Sequence, residues 1–127
     1  MRIFKILILC IIVQFFAANS ARAVNYYWIG GSGDWSNISH WATSSGSTIT
    51  HFTVPGAFDN VYFDQNSFTS AGQTITINTN AICADLDFTG SLYSPTFTGT
   101  LPPVTFDLRI YGSLTLIPAM NYTFSGQ

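Results

Sequence analysis

Short runs in which apolar and polar residues alternate recur along the second half of the chain. Alternation with a period of two is typical of β-strands that have one buried face. Beyond residue 23, no stretch of ten or more residues repeats with the period of an α-helix. The pattern predicts five strands, bounded by Gly, Pro, Asn and Ser: residues 74–78, 85–89, 107–111, 114–116 and 122–124. We therefore expect an all-β fold.

The segment before Val24 differs from the rest and has the order of a secretory signal peptide. Arg2 and Lys5 form the basic start, an apolar run over residues 6–18 follows, and the small-residue triplet A-R-A precedes Val24. The apolar run is shorter than the roughly 18–20 residues that span a bilayer. The segment predicts a leader helix that is cleaved before Val24, and hence a secreted or cell-surface protein.

Cleavage of this leader changes the charge of the chain. Arg109 stays as the one basic side chain, against six Asp and no Glu, which leaves a net charge of −5 with His neutral. Affinity for phosphates comes from Lys and Arg, so nucleic acids and anionic membranes are excluded as expected partners. Cys83 is the one cysteine that remains, so no intrachain disulfide forms, and we expect it to be a small buried apolar residue.

Two pairs of similar segments suggest a repeat. Residues 85–92 and 107–114 are identical at five of eight positions, and residues 96–99 resemble 123–126. The spacing of the first pair lies in the low twenties, which is typical of solenoids, in which each repeat forms one winding of β-structure, here called a coil. No segment resembling a cap follows the second pair, so we expect the chain to continue into a longer polypeptide.

In this interpretation, equivalent residues of successive coils stack at the spacing of parallel strands. The predicted inward pairs are Leu86 over Leu108, Phe88 over Ile110 and Leu92 over Leu114. On the outer face, Asp87 would form an exposed ion pair with Arg109. Asp85 would lie over Asp107, either as solvated surface or as a weak Ca²⁺ position.

All three tryptophans, Trp28, Trp35 and Trp41, lie in an aromatic and Gly-rich block over residues 24–73. Their rings predict a cap that covers the apolar end of the stacked coils. The alternative is a carbohydrate-binding platform, in which exposed Trp faces stack on sugar rings and Asp34 binds hydroxyls.

The block reads W-I-G-G-S-G-D-W-S-N-I-S-H-W, followed by a Pro-containing turn, D-N-V-Y-F-D and T-I-T-I. This order resembles the start of large secreted surface proteins of Bacteroidetes-type bacteria and the repeat units of autotransporter-type adhesins. The matching positions are Trp28, Gly30, Gly31, Gly33, Trp35, Ser36, Trp41, Asp59, Val61, Phe63, Asp64 and residues 74–77. The resemblance covers residues 26–88 well and implies a β-solenoid.

The sequence offers little for catalysis. His40 and His51 combine with Ser32 and Asp34 in no triad order that we recognise, and two His at this spacing without a nearby Cys are not a zinc site. Asp85 and the Asp two positions later could pair as acid and base in polysaccharide cleavage. However, a single cation and so few coils fit an acidic polymer poorly. We expect no enzyme activity, cofactor or metal.

Together these patterns predict a right-handed parallel β-helix-like solenoid with an aromatic N-terminal cap, preceded by the signal-peptide helix. The expected segments are the leader (1–23), the aromatic block (24–73) and the coils (74–127). The expected function is that of a non-enzymatic, adhesin-like exported protein whose partners are extracellular glycans or cell surfaces. The alternatives are a carbohydrate-binding module and a fragment of a polysaccharide-cleaving enzyme.

Overall fold

The computed structural model describes residues 22–124, so the predicted signal peptide lies outside the described residues except for its last two positions. The described chain is built almost entirely of short β-strands, as the alternation predicts, with one 3-10 turn at Ile38–His40. The strands are β1 (Asn25–Trp28), β2 (Gly33–Asp34), β3 (Trp41–Ala42), β4 (Asn60–Tyr62), β5 (Thr74–Ile77), β6 (Ala81–Cys83), β7 (Leu86–Asp87), β8 (Thr96–Gly99), β9 (Leu108–Ile110), β10 (Leu114–Thr115) and β11 (Asn121–Thr123).

The strands form three sheets. Sheet A has the order β10-β7-β4-β1-β3, sheet B the order β11-β8-β5-β2, and sheet C consists of β6 and β9. Neighbours pair in parallel throughout, except for β1 and β3, which are antiparallel. From β4 onward the chain visits the sheets in the fixed order A, B, C. Every strand from β4 except β6 therefore pairs with the strand three places earlier in the chain.

The strand register differs from the predicted one. Leu86 pairs with Leu114 in sheet A, whereas Leu108 pairs with Ala81 in sheet C. The predicted stacking of residues 85–92 over 107–114 is therefore wrong. The sequence separation of paired residues is smaller between β5 and β8 than between β7 and β10, because the connecting loops differ in length.

The second predicted repeat pairs the two correct strands, but their register is shifted by two residues. β8 and β11 are neighbours in sheet B, but Thr96 pairs with Asn121 rather than with Thr123. A shift by two positions keeps every side chain on its face of the sheet, whereas a shift by one would reverse it. Phe97 therefore still points to the interior, and its ring contacts that of Phe124 edge-on at 5.1 Å between centroids.

All three sheets contribute to one apolar core. The buried members are Tyr26, Trp28, Trp35, Trp41, Val61, Phe63, Phe68, Ile75, Ile77, Ala81, Cys83, Leu86, Phe88, Phe97 and Met120. Phe63, which follows β4, stacks on Phe88, which follows the paired strand β7, at 4.3 Å between ring centroids. Inward side chains alternate with outward polar ones along the strands, as β5 illustrates, where buried Ile75 and Ile77 alternate with two half-buried Thr residues.

The two ends of this core differ. At the N-terminal end, β3 covers the outer edge of β1, with Trp28 paired to Trp41. At the other end, β9, β10 and β11 are the last strands of their sheets in the described chain. Leu114 there is 51% exposed although its partner Leu86 is 0% exposed. In sheet A the apolar residues are thus covered at the first end and exposed at the other.

Candidate functional site

The three tryptophans are completely buried. Trp28, Trp35 and Trp41 are each 0% exposed and meet edge-on, with Trp41 at 4.9 Å from Trp28 and 4.7 Å from Trp35 between ring centroids. The indole N–H of Trp28 donates to the Gly31 carbonyl at 2.7 Å, and that of Trp41 donates to the Trp35 carbonyl at 2.8 Å. None of the rings presents a face to solvent, so the interpretation of these residues as a sugar platform is wrong. They lie among the first strands of the chain, next to the pairing of β1 with β3.

A turn with two glycines makes this burial possible. Gly30 and Gly31 have φ angles of +84° and +75°, a region that residues with a side chain rarely adopt. The turn directs the Gly31 carbonyl back to the Trp28 indole. It also leaves room for His40, whose ring stacks on Trp28 at 4.5 Å and whose Nδ1 donates to the Ile29 carbonyl at 2.6 Å.

Asp34, the fourth predicted ligand-binding residue, lies apart from the tryptophans. It is exposed on β2, and its register partner in sheet B is Thr76. The Trp rings point into the core, whereas Asp34 faces solvent, so the structure does not join these residues in one site.

The remaining polar residues considered for catalysis have structural contacts. His51 stacks on Tyr26 at 3.9 Å between ring centroids, and its Nε2 bonds to the Asn25 carbonyl at 3.1 Å. The Ser32 hydroxyl accepts the backbone N–H of Thr74 at 3.0 Å. Each of these contacts connects two separate segments of the chain. The contacts therefore give each side chain a structural role.

The aspartates also differ from the predicted arrangement. Asp85 accepts the Ser113 backbone N–H at 2.7 Å, and Asp107 lies beside the separate sheet C, so the two do not stack. Arg109 pairs with Asp107 at 3.1 Å rather than with Asp87, and both partners are about two-thirds exposed. Such a pair contributes little to stability. Residues 22–124 contain no group of three His, Cys, Asp or Glu side chains that could hold a metal ion.

Two stacked tyrosines on the outer face of sheet A were missed by the sequence interpretation. The rings of Tyr27 and Tyr62 lie 5.1 Å apart at 20°, and the register partner of Tyr62 in the next strand is Asp87. Burial raises the pKa of the Tyr62 phenol, and Tyr27, Asp87 and Asp85 raise it further. The alternating pattern could have placed both tyrosines on the outer face, because each stands between two buried residues along the chain.

The open end of the core forms an apolar depression of about 530 Å³. Its lining combines the inward side chains of the last three strands with aromatic residues of sheet B. The principal members are Phe97, Leu108, Ile110, Leu114, Tyr122 and Phe124. Asp107 is the one charged residue in the lining.

Cys83 lies on β6, where its thiol is free and its side chain is buried. Burial raises its pKa from 9.0 to about 11, and the nearby Asp85 carboxylate adds to the rise. Because the thiolate is the reactive form, such a thiol is inert at neutral pH. The prediction that Cys83 is a buried apolar residue is confirmed.

We expect iodoacetamide to leave Cys83 unmodified at pH 8 in the folded chain from Val24 and to alkylate it completely in urea. The same pKa shift predicts a loss of stability between about pH 9 and 11, because over this range the unfolded thiol ionises while the folded one keeps its proton. Mass spectrometry measures the labelling. A Cys83→Ala variant is the control for the pH dependence. Rapid labelling of the folded protein would contradict the burial of the thiol.

Residues 22–124 include no helix long and apolar enough to cross a membrane. Comparison of the whole sequence with protein-family profiles, with curated proteins and with solved structures found no match in any of the three.

Proposed function

We propose that the chain is a non-enzymatic, exported surface protein of adhesin type, and that its described part is a capped parallel β-helix. The observation that carries this proposal is the repeated passage of the chain through sheets A, B and C around one apolar core. Parallel strands joined by crossover connections are almost always right-handed, so we assign a right-handed winding. Each pass through the three sheets is then one coil of the solenoid.

The supporting physical argument concerns what this architecture does well. Backbone hydrogen bonds run along the stack and join each coil to the next, while identical faces of successive coils align into flat outer surfaces. The outer positions of sheet B are mainly Thr, with a hydrogen bond between the hydroxyls of Thr98 and Thr123 at 2.8 Å. A stiff body with polar flat faces is suited to holding a partner-binding surface away from a cell.

The contacts of the polar side chains in residues 22–124 are consistent with this role but do not carry it. The His and Ser side chains that a hydrolase would use are engaged in strand and loop contacts, and the Asp85 carboxylate accepts a loop N–H. Export is proposed from the segment before Val24 and from the resemblance of residues 26–88 to secreted surface proteins. The proposed partners are extracellular glycans or the surfaces of neighbouring or host cells.

Expression of the full chain in a Gram-negative host tests export. We expect the exported polypeptide to begin at Val24, because the A-R-A triplet precedes it. N-terminal sequencing identifies the first residue, and separation of periplasm, culture medium and cytosol locates the protein. A version that begins with Met followed by residues 24–127 is the matched control and should remain in the cytosol. Retention of the full chain in the cytosol with Met1 intact would overturn the proposal.

A further inference from the structure

We propose that the open face formed by β9, β10 and β11 is the seat of one further β-coil, joined in cis after β11. Its three strands would run parallel to β9, β10 and β11, with apolar residues at their inward positions. The inference rests on the β-helix proposed above and adds to it the occupant of the open end and the order in which that occupant pairs.

The first argument compares the exposed fractions of inward-facing residues that are register partners in neighbouring strands. Leu86 is 0% exposed, whereas its register partner Leu114 is 51% exposed. Phe97 is 2% exposed, whereas its partner Tyr122 is 65% exposed. The inner member of each pair is covered by the next strand, and the outer member has no such cover in the described chain. Exposed apolar surface of this kind marks a contact surface.

The second argument comes from the strand edges. In the described chain β9, β10 and β11 each have a neighbour on one side alone, so three rows of backbone N–H and C=O groups end at the same face. Solvent-exposed edges are usually protected by Lys, Pro or inward charges, and these three strands contain none of those devices. Arg109, the one basic residue there, is exposed and paired with Asp107. The edges are therefore free to accept further strands.

The third argument comes from the winding order, which identifies the occupant. The chain passes from sheet B to sheet C after β5 and again after β8. A chain that continued after β11 in the same order would therefore place its first strand against the free edge of β9, its second against that of β10 and its third against that of β11. Head-to-tail addition of a second copy is blocked in sheet A, because β3 already covers the outer edge of β1. A coil joined in cis continues the existing coil-to-coil contact without any rearrangement.

The chain itself contains a segment suited to the test. Residues 79–100 include β6, β7 and β8, whose order of sheets is C, A, B, as the open face requires. We would append a second copy of this segment after Gln127 of the full chain. The matched control carries the same copy with Asn at its positions equivalent to Leu86, Phe88 and Phe97, which are buried in the parent.

We expect the appended copy to slow amide hydrogen exchange in β9, β10 and β11 at least tenfold. The Asn control should leave this exchange unchanged. If the appended copy behaves like the control while the amides of β4 to β8 remain protected, this inference is wrong and the β-helix stands. If those inner amides are also unprotected, the β-helix itself fails.

Sedimentation of the unmodified protein tests the alternative that a second copy of the chain occupies the open end. We expect a monomer whose β9, β10 and β11 amides exchange quickly. A dimer in which these amides are protected would show that a second copy occupies the open end, and would overturn the proposal.

Discussion

Replacement of Trp41 by Ala is expected to lower the free energy of unfolding by about 3–5 kcal/mol, the usual loss when a large buried aromatic side chain is removed. Trp41 is 0% exposed and its ring meets those of Tyr26, Trp28, Trp35 and Phe63 at 4.7–6.2 Å between centroids. The substitution also removes the hydrogen bond from the indole N–H to the Trp35 carbonyl. Urea denaturation followed by far-UV circular dichroism measures the change.

Phe52 provides the matched control for this substitution. Its side chain is 96% exposed, so Phe52→Ala should change stability by less than about 0.5 kcal/mol. A Trp41→Phe variant should fall between the two, because it keeps an aromatic ring and leaves the Trp35 carbonyl without its donor. Equal stability of the Trp41→Ala and Phe52→Ala variants would show that the buried tryptophan cluster does not form.

Replacement of Phe63 by Ala should cost a similar amount, about 3–5 kcal/mol, through a different part of the core. Phe63 is 0% exposed, stacks on Phe88 at 4.3 Å, and also lies 6.2 Å from both Phe68 and Phe97. It connects the buried tryptophans to the other Phe rings of the core, because its ring also approaches Trp28 at 5.6 Å. The cavity left by Ala would therefore weaken contacts on several sides.

The control for Phe63 is Phe58→Ala, since that ring is 64% exposed. A double-mutant cycle between Phe63 and Phe88, with each replaced by Leu, isolates their stacking, for which we expect a coupling of about 0.5–1.5 kcal/mol. Thermal and urea unfolding give the four stabilities. A coupling of zero would mean that the two rings are not in contact and that β4 and β7 do not pair as described.

Local patterns predicted five of the seven strands from β5 onward. The predicted runs at 74–78, 107–111 and 114–116 contain β5, β9 and β10, because four or five alternating positions suffice to show a period of two. The predicted runs did not include β2, β3, β6 or β8. Length alone does not separate these strands from the predicted ones, because β7 and β10 have two residues whereas β8 has four. Their place depends on partners far along the chain, such as Thr76 for Asp34.

The candidate site was less predictable than the fold class. The sequence shows that three Trp residues lie close together along the chain. Whether their side chains are exposed depends on the conformation of the Gly30–Gly31 turn. The acceptors of two of the indoles, the Gly31 and Trp35 carbonyls, became available only in the folded chain, whereas the buried Trp35 indole N–H has no hydrogen-bond partner. The half-buried tyrosine pair, in contrast, follows from alternation once the register between β1 and β4 is known.

Composition and alternation by themselves determined that this chain is all-β, that aromatic and aliphatic residues form its interior, and that the part after the predicted leader is acidic. These properties are local or additive, so they can be read from neighbouring residues. Tertiary structure alone decided the register of the strands, that Leu86 meets Leu114 rather than Leu108, and that the tryptophans are buried. Register depends on the lengths of the loops between paired strands and on packing among three sheets, and no short segment carries that information.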